Sequence, residues 1–521
     1  MSESFDVIVA GAGPVGLMLA GELSLAGASV LVLERDASLQ SSWKAPPLGA
    51  RGLNTPSVEF FYRRGLLDKL GYGDSSRFFA KNPGFQFGGH FAGISLNANQ
   101  FDLSRWKYRL PGPVLHPTRS SLEQITNILA DYARSKGATI LLDHGLTSIV
   151  AQDEISVTVA VTGRGEERSR EFHGRWLVGC DGGKSTVRRA AGIEFTGTEA
   201  KFTGYIVQGE IEGQEKLQSG FNITKAGMYI SAAPGILHLF DYDGAKFDRE
   251  QNVTAQHLQT IVDRVINQPG VVVKVVDQAL TFTDRSMQAK SYRRGRVLLA
   301  GDAAHIHSPL GAQGLNLGLG DAMNLGWKLA ATVRQEKSRP KTATGPLDLT
   351  LLDTYETERH PLASWVLEWT RAQVTTLQPD PFGAAVQNLF RDLINTDDGM
   401  NLFLGRVWGL SQRYSLGEGS AYAHELIGAT VPDFEFTDGS RLGDKLQDGK
   451  AWLIDFQNTD ELREGIQERY TQRINYLQAN SKDTRGLSAV LVRSDGIVAW
   501  LAEEEIHIDA FQSALERWFS Y

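Results

Sequence analysis

The sequence predicts an α/β protein built on a parallel sheet, and three strand–turn–helix segments spread over roughly 300 residues carry that prediction. Each opens with a short apolar run, turns at Gly or Asp, and passes into a helical pattern. They begin near Phe5, Trp176 and Val297. One such turn is an ordinary surface feature. Three together point to strand tips that share a ligand.

In the first segment, Phe5-Asp6-Val7-Ile8-Val9-Ala10 reads as a strand and Gly11-Ala12-Gly13-Pro14-Val15-Gly16 as the turn. A helix then runs to Gly27, and Ser29 to Leu33 forms a second strand ending at Glu34. Gly11 allows the tight turn, Gly13 lets the backbone approach a pyrophosphate, and Gly16 lets helix and strand pack closely. Glu34 lies 21 residues after Gly13, where a carboxylate holds the ribose hydroxyls of adenosine. A purely structural glycine turn would explain the glycines but not Glu34. The motif leaves the choice between NAD(P) and FAD open.

The third segment, GDAAHIHSPLGAQGLNLGLGDAMNLGWKLA from Gly301 to Ala330, follows the apolar run Val297-Leu298-Leu299-Ala300, which reads as a buried parallel strand. Asp302 at the strand tip can accept hydrogen bonds from a polyol. The helix starting near Gly314 offers free N–H groups and a positive dipole end to a partly anionic ring. Both features suit the ribityl chain and pyrimidine edge of a flavin. The second segment, Trp176 to Arg188, reads as strand, turn and helix start, with Ser185 placed to cap the helix and Arg188 and Arg189 one turn in. Locally, a capped surface turn would account for it equally well.

Composition bounds the rest. The 521 residues, 42% apolar and 22% charged, describe an ordinary globular chain long enough for about three domains. A net charge of −8 argues against a nucleic-acid partner, which needs clustered Lys and Arg. The single cysteine, Cys180, excludes an internal disulfide, a CxxC pair and a thiolate zinc site, so a cytoplasmic protein is expected. The apolar stretch Val7 to Leu33 is broken by Gly and Pro, carries Glu22, and follows acidic Glu3 and Asp6; no membrane anchor is expected. His305 and His307 alternate without an evident third ligand, so no metal site is expected.

Together, GAGPVG with Glu34, CDGGKSTVR and the Gly301 segment resemble the FAD-dependent aromatic hydroxylases, the single-component flavoprotein monooxygenases of the para-hydroxybenzoate hydroxylase fold. LLDTYETERHP at Leu351 to Pro361 resembles the same family. AVLVRSDGIVAW (Ala489 to Trp500) and ALERWF (Ala514 to Phe519) are similar to the phenol and polyketide hydroxylase subgroup with an appended thioredoxin-like domain. The resemblance implies a Rossmann-like FAD-binding domain at 1–80, 112–195 and 291–345, and an inserted antiparallel substrate sheet at 81–111 and 196–290. A helical segment at 346–415 and a thioredoxin-like domain at 416–521 complete it. Lacking cysteine, that last domain has no thiol redox role.

The resemblance also implies roles for individual residues. Gly11, Gly13 and Gly16 flank the FAD pyrophosphate; Glu34, with Arg35 beside it, binds the adenosine end. Asp181 and Gly182 belong to a motif used for FAD and NADPH, and Asp302 holds the pyrophosphate and ribityl region. Pro309 lies by the reactive face of the flavin, and Gly314, Leu315 and Asn316 by its pyrimidine edge. The implied activity is an NADPH- and O2-dependent hydroxylation of a phenolic or polycyclic, polyketide-like substrate through a flavin C4a-hydroperoxide, as found in secondary metabolism. The same chemistry could serve Baeyer–Villiger oxidation, epoxidation or antibiotic inactivation, and a flavin-binding protein without turnover is a third reading. Relatives are often dimers, which leaves a homodimer open.

Two departures stand out. The subgroup usually has Arg where this chain has Gly49, and a Pro-Gln pair and a Glu where it has Val114-Leu115 and Arg119. Arg119 or Arg51 is therefore a candidate to replace the missing cation at the FAD, against the plain alternative of a solvated helix-start Arg. His305, His307, His90 and His238 are candidate bases, each weighed against a structural histidine. Alternating apolar positions over 203–242 predict an antiparallel sheet, 85–101 strands, 255–270 and 351–412 helices, and 336–347 a surface linker.

Overall fold

A computed structural model describes residues 4–71, 84–166, 168–340, 345–417, 419 and 422–520. The expected boundary between 80 and 81, and residues 341–344 of the expected linker, lie outside these.

The central sheet runs in the order Arg293–Arg294, Val297–Leu299, Arg170–Gly179, Ser4–Ala10, Val30–Leu33, Thr139–Leu141. All neighbours are parallel except the short first strand. A hairpin, His144–Gln152 and Val157–Gly163, pairs antiparallel with the first half of the Arg170 strand. Val7 to Ala10, Val30 to Leu33 and Val297 to Leu299 are buried throughout, as strands covered on both faces must be.

Two helices cover this sheet. The motif helix, Pro14–Leu25, is buried from Gly16 to Ser24 and packs on Leu122–Ser135, where Gly21 gives way to Tyr132; a Cβ there would sit 2.4 Å from its ring. The central helix, Gly314–Ser338, is buried without interruption from Asn316 to Val333. Burial on all sides is usual for a helix at the middle of a large core, but this one carries Asp321, Asn324 and Lys328 inside, and such groups persist only with partners.

The predicted antiparallel sheet forms with the order Gly220–Ile223, Gly227–Ala233, Ile236–Asp241, Thr203–Glu212, Val272–Thr283. One face packs Tyr205, Val207, Leu237 and Leu239 on the amphipathic helix Ala255–Val265. The predicted strands at 85–101 are the ribbon Phe87–Phe91 and Ile94–Asn97. The region read as helix from 351 to 412 divides into Thr350–Thr376, Pro381–Ile394 and Asp397–Val407, where Asp380 and Thr396 accept from backbone N–H groups and start new helices. The central helix continues to Ser338, three residues into the expected linker's span. The C-terminal unit is a four-stranded sheet in the order Ile474–Gln478, Ala451–Asp455, Ala489–Val492, Val498–Ala502, parallel only in the first pair. No described helix is long and apolar enough to cross a membrane.

Thr350–Thr376 acts as a bridging helix because Glu358 and Arg359 reach in different directions. Glu358 receives Arg493 of the C-terminal sheet in two 2.8 Å bonds, Lys328 at 3.0 Å and Asn324 at 2.6 Å. All of these side chains are buried. Burial alone would push the Glu358 carboxyl up, but Arg493 and Lys328 outweigh it and hold it at about 2. Burial pulls Lys328 down to about 7 despite Glu358, and the nearby positive charge of Arg493 pulls the same way.

Replacing Glu358 with Ala strands Arg493 and Lys328 in the interior, so Glu358→Ala is expected to cost about 3–5 kcal/mol. Thermal unfolding and limited proteolysis of the C-terminal unit would measure it. Because the folded pKa is depressed, the carboxylate's contribution is present above about pH 4.5 and lost as pH falls toward about 2. Wild type should therefore lose stability over that interval more steeply than the variant. Equal acid profiles would refute the assignment.

Candidate functional site

Sheet register brings the three sequence segments to one edge. Ala10 stands opposite both Leu33 and Gly179, and Gly179 opposite Leu299. The tips that follow, Glu34, Gly11, Asp181 and Asp302, are therefore neighbours at the carboxyl ends of parallel strands, where α/β sheets bind ligands. Gly11 N–H donates to Leu33 O at 2.7 Å, and Cys180 N–H to Ala10 O at 2.8 Å.

The three motif glycines are distinguished by what surrounds them. Gly11 has φ +104°, and a Cβ there would lie 2.4 Å from Cys180 O. A Cβ at Gly16 would lie 2.0 Å from Gly11 O, so only hydrogen lets the helix close on the turn. A Cβ at Gly13 would meet nothing within 4 Å. Two of the glycines therefore serve packing and one keeps a space open. Glu34 accepts from Ala12 N–H at 2.7 Å and Asp36 N–H at 3.0 Å, which fixes its carboxylate beside that opening. Arg35 points into solvent, 3.9 Å from Asp36.

Asp181 is occupied differently. It accepts from Thr186 N–H at 2.7 Å and Val187 N–H at 3.0 Å, while Ser185 caps the same helix through Arg188 N–H. Its side chain thus holds a helix start, while Gly182 beside it has φ +81° with open space around it. Arg188 donates to Ala303 O at 2.8 Å and Gly183 O at 2.9 Å, tying this turn to the Gly301 loop.

Asp302 is the opposite case: solvent reaches it, and its carboxylate has no hydrogen-bond partner among the described residues. Protein nonetheless surrounds it closely enough that burial raises its pKa, with His305 pulling the other way. Exposure and crowding together describe a group on the wall of a deep cleft. His305 is fully buried, with Nε2 2.6 Å from Asp321 Oδ2. Burial opposes ionisation of Asp321, but His305 and Arg359 outweigh it and hold its carboxyl below the usual range. The imidazole therefore does not reach the cleft as the sequence reading of a catalytic base required. Asp321 also accepts from Gly301 N–H at 2.9 Å and Arg359 at 2.7 Å, so one carboxylate shapes the loop. His307 is held neutral, pulled to about 4 by burial.

Pro309 is exposed at the head of a tight turn, followed by Ala312 at φ +51°, a left-handed conformation that alanine seldom adopts. The central helix begins two residues later. Gly318 and Gly301 both lie against Val15, so its first turn converges on the start of the motif helix. Leu315 packs on the central core. Asn316 accepts from Asn54 N–H at 2.9 Å and donates to Gly52 O at 3.0 Å, clamping the ribbon Ala50–Leu53 and Thr118–Ser121 against that helix start. This clamp was not read from the sequence, although Asn54 ahead of Thr55-Pro56 carries a helix-cap signal, and it does accept from Ser57 N–H.

The ribbon also holds the two substitute cations. Arg51 donates to Leu48 O and Ala50 O and has no carboxylate partner among the described residues. Arg119 is exposed in a strand, not at a helix start, 5.7 Å from the Phe87 ring. Gly49 has a steric reason: a Cβ there would lie 1.7 Å from Lys44 O, so the loop before it excludes the usual Arg. Val114 and Leu115 are buried core residues.

The second face of the five-stranded sheet turns toward this loop, sharing a core with Leu310. Met228, Phe240, Gly204 and Phe282 form its deep row, and Phe221, Ile230, His238, Ile206 and Leu280 the next. A separate cavity of about 30 Å³ lies behind the central helix, with Phe60, Met323 and Ile497 in its lining beside Glu59, Arg109 and Asp495; it is large enough for one or two waters.

The donor set fits a flavin dinucleotide. The motif helix and the central helix both start at the cleft with no side-chain cap, which leaves their first N–H groups free. Two unclaimed helix N-termini suit two electron-rich groups, and Glu34 and Asp302 suit two sets of hydroxyls. Residues 4–370 match the family model described as FAD binding domain, and residues 424–521 that of aromatic-ring hydroxylase, C-terminal. The chain is 45% identical over 516 residues to a protein of Claviceps purpurea named as a monooxygenase, covering 98% of this chain and 97% of that one. It is 35% identical to the rifampicin monooxygenase of Streptomyces venezuelae, covering 96% of each. The solved structure of the anhydrotetracycline hydroxylase of Streptomyces rimosus superposes with a TM-score of 0.82 at 32% identity over 100% of both chains.

Gly13 and Gly16 should separate binding from folding. Gly13→Val is expected to leave a soluble, folded protein that retains under a tenth of the wild-type FAD, read from visible absorbance. Gly16→Val is expected to accumulate poorly or unfold early, from overpacking against Gly11. Full flavin content in Gly13→Val would sink this assignment.

Proposed function

The chain belongs to the FAD-binding aromatic-ring hydroxylases, and from that premise we propose that it hydroxylates a flat phenolic or polycyclic substrate, using NADPH and O2 as co-substrates. The observation that carries this reading is the convergence of two uncapped helix N-termini and the Asp302 carboxylate opposite a half-buried, apolar sheet face.

When bound, FAD supplies the two-electron chemistry that activates O2 for transfer of one oxygen atom to an electron-rich ring. The residues do the rest. Gly13 and the start of the motif helix would take the pyrophosphate, Glu34 the adenosine ribose, and Asp302 the ribityl side. Gly182, beside Asp181, is the open backbone of the turn read for FAD and NADPH contacts. Gly314, Leu315 and Asn316 would meet the pyrimidine edge, with Pro309 at the reactive face. Arg51 is better placed than Arg119 or Arg35 to supply a cation, since it alone of the three is partly buried. His305 is a positioning residue: it acts through Asp321 on the loop that presents Pro309. The apolar sheet excludes water from the reacting ring. We read 1–80, 112–195 and 291–345 as the cofactor unit and 196–290 as the main substrate unit.

A second reading, oxidation of an antibiotic scaffold, is favoured by the 35% identity to a rifampicin monooxygenase. One experiment covers both: the FAD-loaded protein is offered a panel of phenols, naphthols, hydroxyanthraquinones and ansamycins, with NADPH oxidation and product mass followed. At least one aromatic should accelerate NADPH oxidation tenfold or more and gain one oxygen. A gain of oxygen with ring opening would favour the second reading. No acceleration across the panel would refute turnover.

A further inference from the structure

The sheet face opposite the cofactor cleft carries more specific information than its apolarity. Phe221, Ile230, His238, Ile206 and Leu280 are directly opposed neighbours on five successive strands. All five are half-buried, between a deep row that is mostly closed and an outer strip with Gln208 and Gln278. Half-buried apolar side chains in a continuous row pack on the core beneath them and leave part of their surface open to a ligand. Gly204 in the deep row lets the Phe282 ring fold over the backbone, where a Cβ would lie 2.2 Å from it, and so flattens that side.

Within the middle row only His238 can form a hydrogen bond, and it forms none with any described residue. Burial pulls its pKa to about 4, so the ring is neutral and offers one donor and one acceptor. The ring is half-buried, so its nitrogens are open to a ligand oxygen. The row contains no Lys or Arg. At its other end, His90 lies against Phe221 with ring centroids 4.4 Å apart, also neutral at about 4. Phe221 and His238 are two strand spacings apart, about 10 Å, which matches roughly three linearly fused aromatic rings.

We propose that His238 determines specificity by hydrogen-bonding one oxygen, hydroxyl or quinone carbonyl, of an uncharged fused-ring substrate whose rings lie along the row toward Phe221. A carboxylate in that position is disfavoured, because the row itself offers it no Lys or Arg. This rests on the hydroxylase reading above and assigns the substrate class for the same site.

The test uses the FAD-loaded protein with two probes, 1,8-dihydroxyanthraquinone and anthraquinone-2-carboxylate, and measures dissociation constants from quenching of flavin fluorescence and from the probes' own absorbance. Wild type is expected to bind the dihydroxy probe at least about tenfold more tightly than the carboxylate. His238→Phe should lose about tenfold for the dihydroxy probe, with flavin content and thermal midpoint unchanged, and His238→Asn should recover part of that loss. If His238→Phe does not retain flavin, the comparison of His238→Asn with wild type decides. Equal binding of the two probes by wild type overturns the proposal, as does unchanged dihydroxy binding in both variants or no binding of either probe. Discrimination between the probes without any NADPH oxidation across the phenol panel would leave His238's role standing and remove the hydroxylase reading instead.

Discussion

The arrangement depends on one buried carboxylate. Asp321 lies buried within the central helix, and its two oxygens are divided among Gly301 N–H, His305 and Arg359. An unpaired carboxylate at that depth would not remain ionised, so each partner is required and each is held in place by the same charge. Gly301 fixes the strand tip, His305 the loop behind Pro309, and Arg359 the bridging helix. The loop geometry is in this sense a consequence of neutralising a single charge.

From Arg359 the constraint propagates. Its neighbour Glu358 faces the other way and neutralises Arg493, which brings in the C-terminal sheet, while Arg359 also reaches Tyr414 at 2.8 Å. Two adjacent residues on one helix thereby join the cleft to a unit with no group at the cleft. A C-terminal sheet lacking cysteine has a structural task here: it supplies the counter-charge that lets Glu358 stay buried beside Lys328. Continuum reasoning makes such networks costly relative to apolar packing, so their value lies in setting one geometry rather than in added stability.

The sequence was most legible where the physics is local. The glycine turn, Glu34 at its strand end, the Ser185 cap and the helix from Gly314 each follow from a few consecutive residues, and each stands where expected. It was less legible where a side chain chooses among distant partners. Asp181 was read as a ligand residue, and nothing in its local sequence says that it also holds a helix start through Thr186 and Val187 N–H. His305 looked like a base and is sealed by a carboxylate 16 residues away in sequence. Gly49 looked like a missing cation; the loop turning back through Lys44 shows that no side chain fits there. ETERHP was recognised only by likeness, with nothing in its residues to say that Glu and Arg would part.

Sequence alone determined the fold class and the nucleotide-binding turn, because backbone conformation and strand–helix alternation are set by near neighbours, and likeness to a known family added the cofactor class. Tertiary structure decided which charges face the cleft and which are spent inside, that Arg51 rather than Arg119 is the sheltered cation, and that His238 stands unpartnered at the centre of an apolar row. Those outcomes depend on register between strands that lie far apart in the chain. A shift of one residue would turn His238 to the other face, and no local pattern records which register the folded sheet adopts.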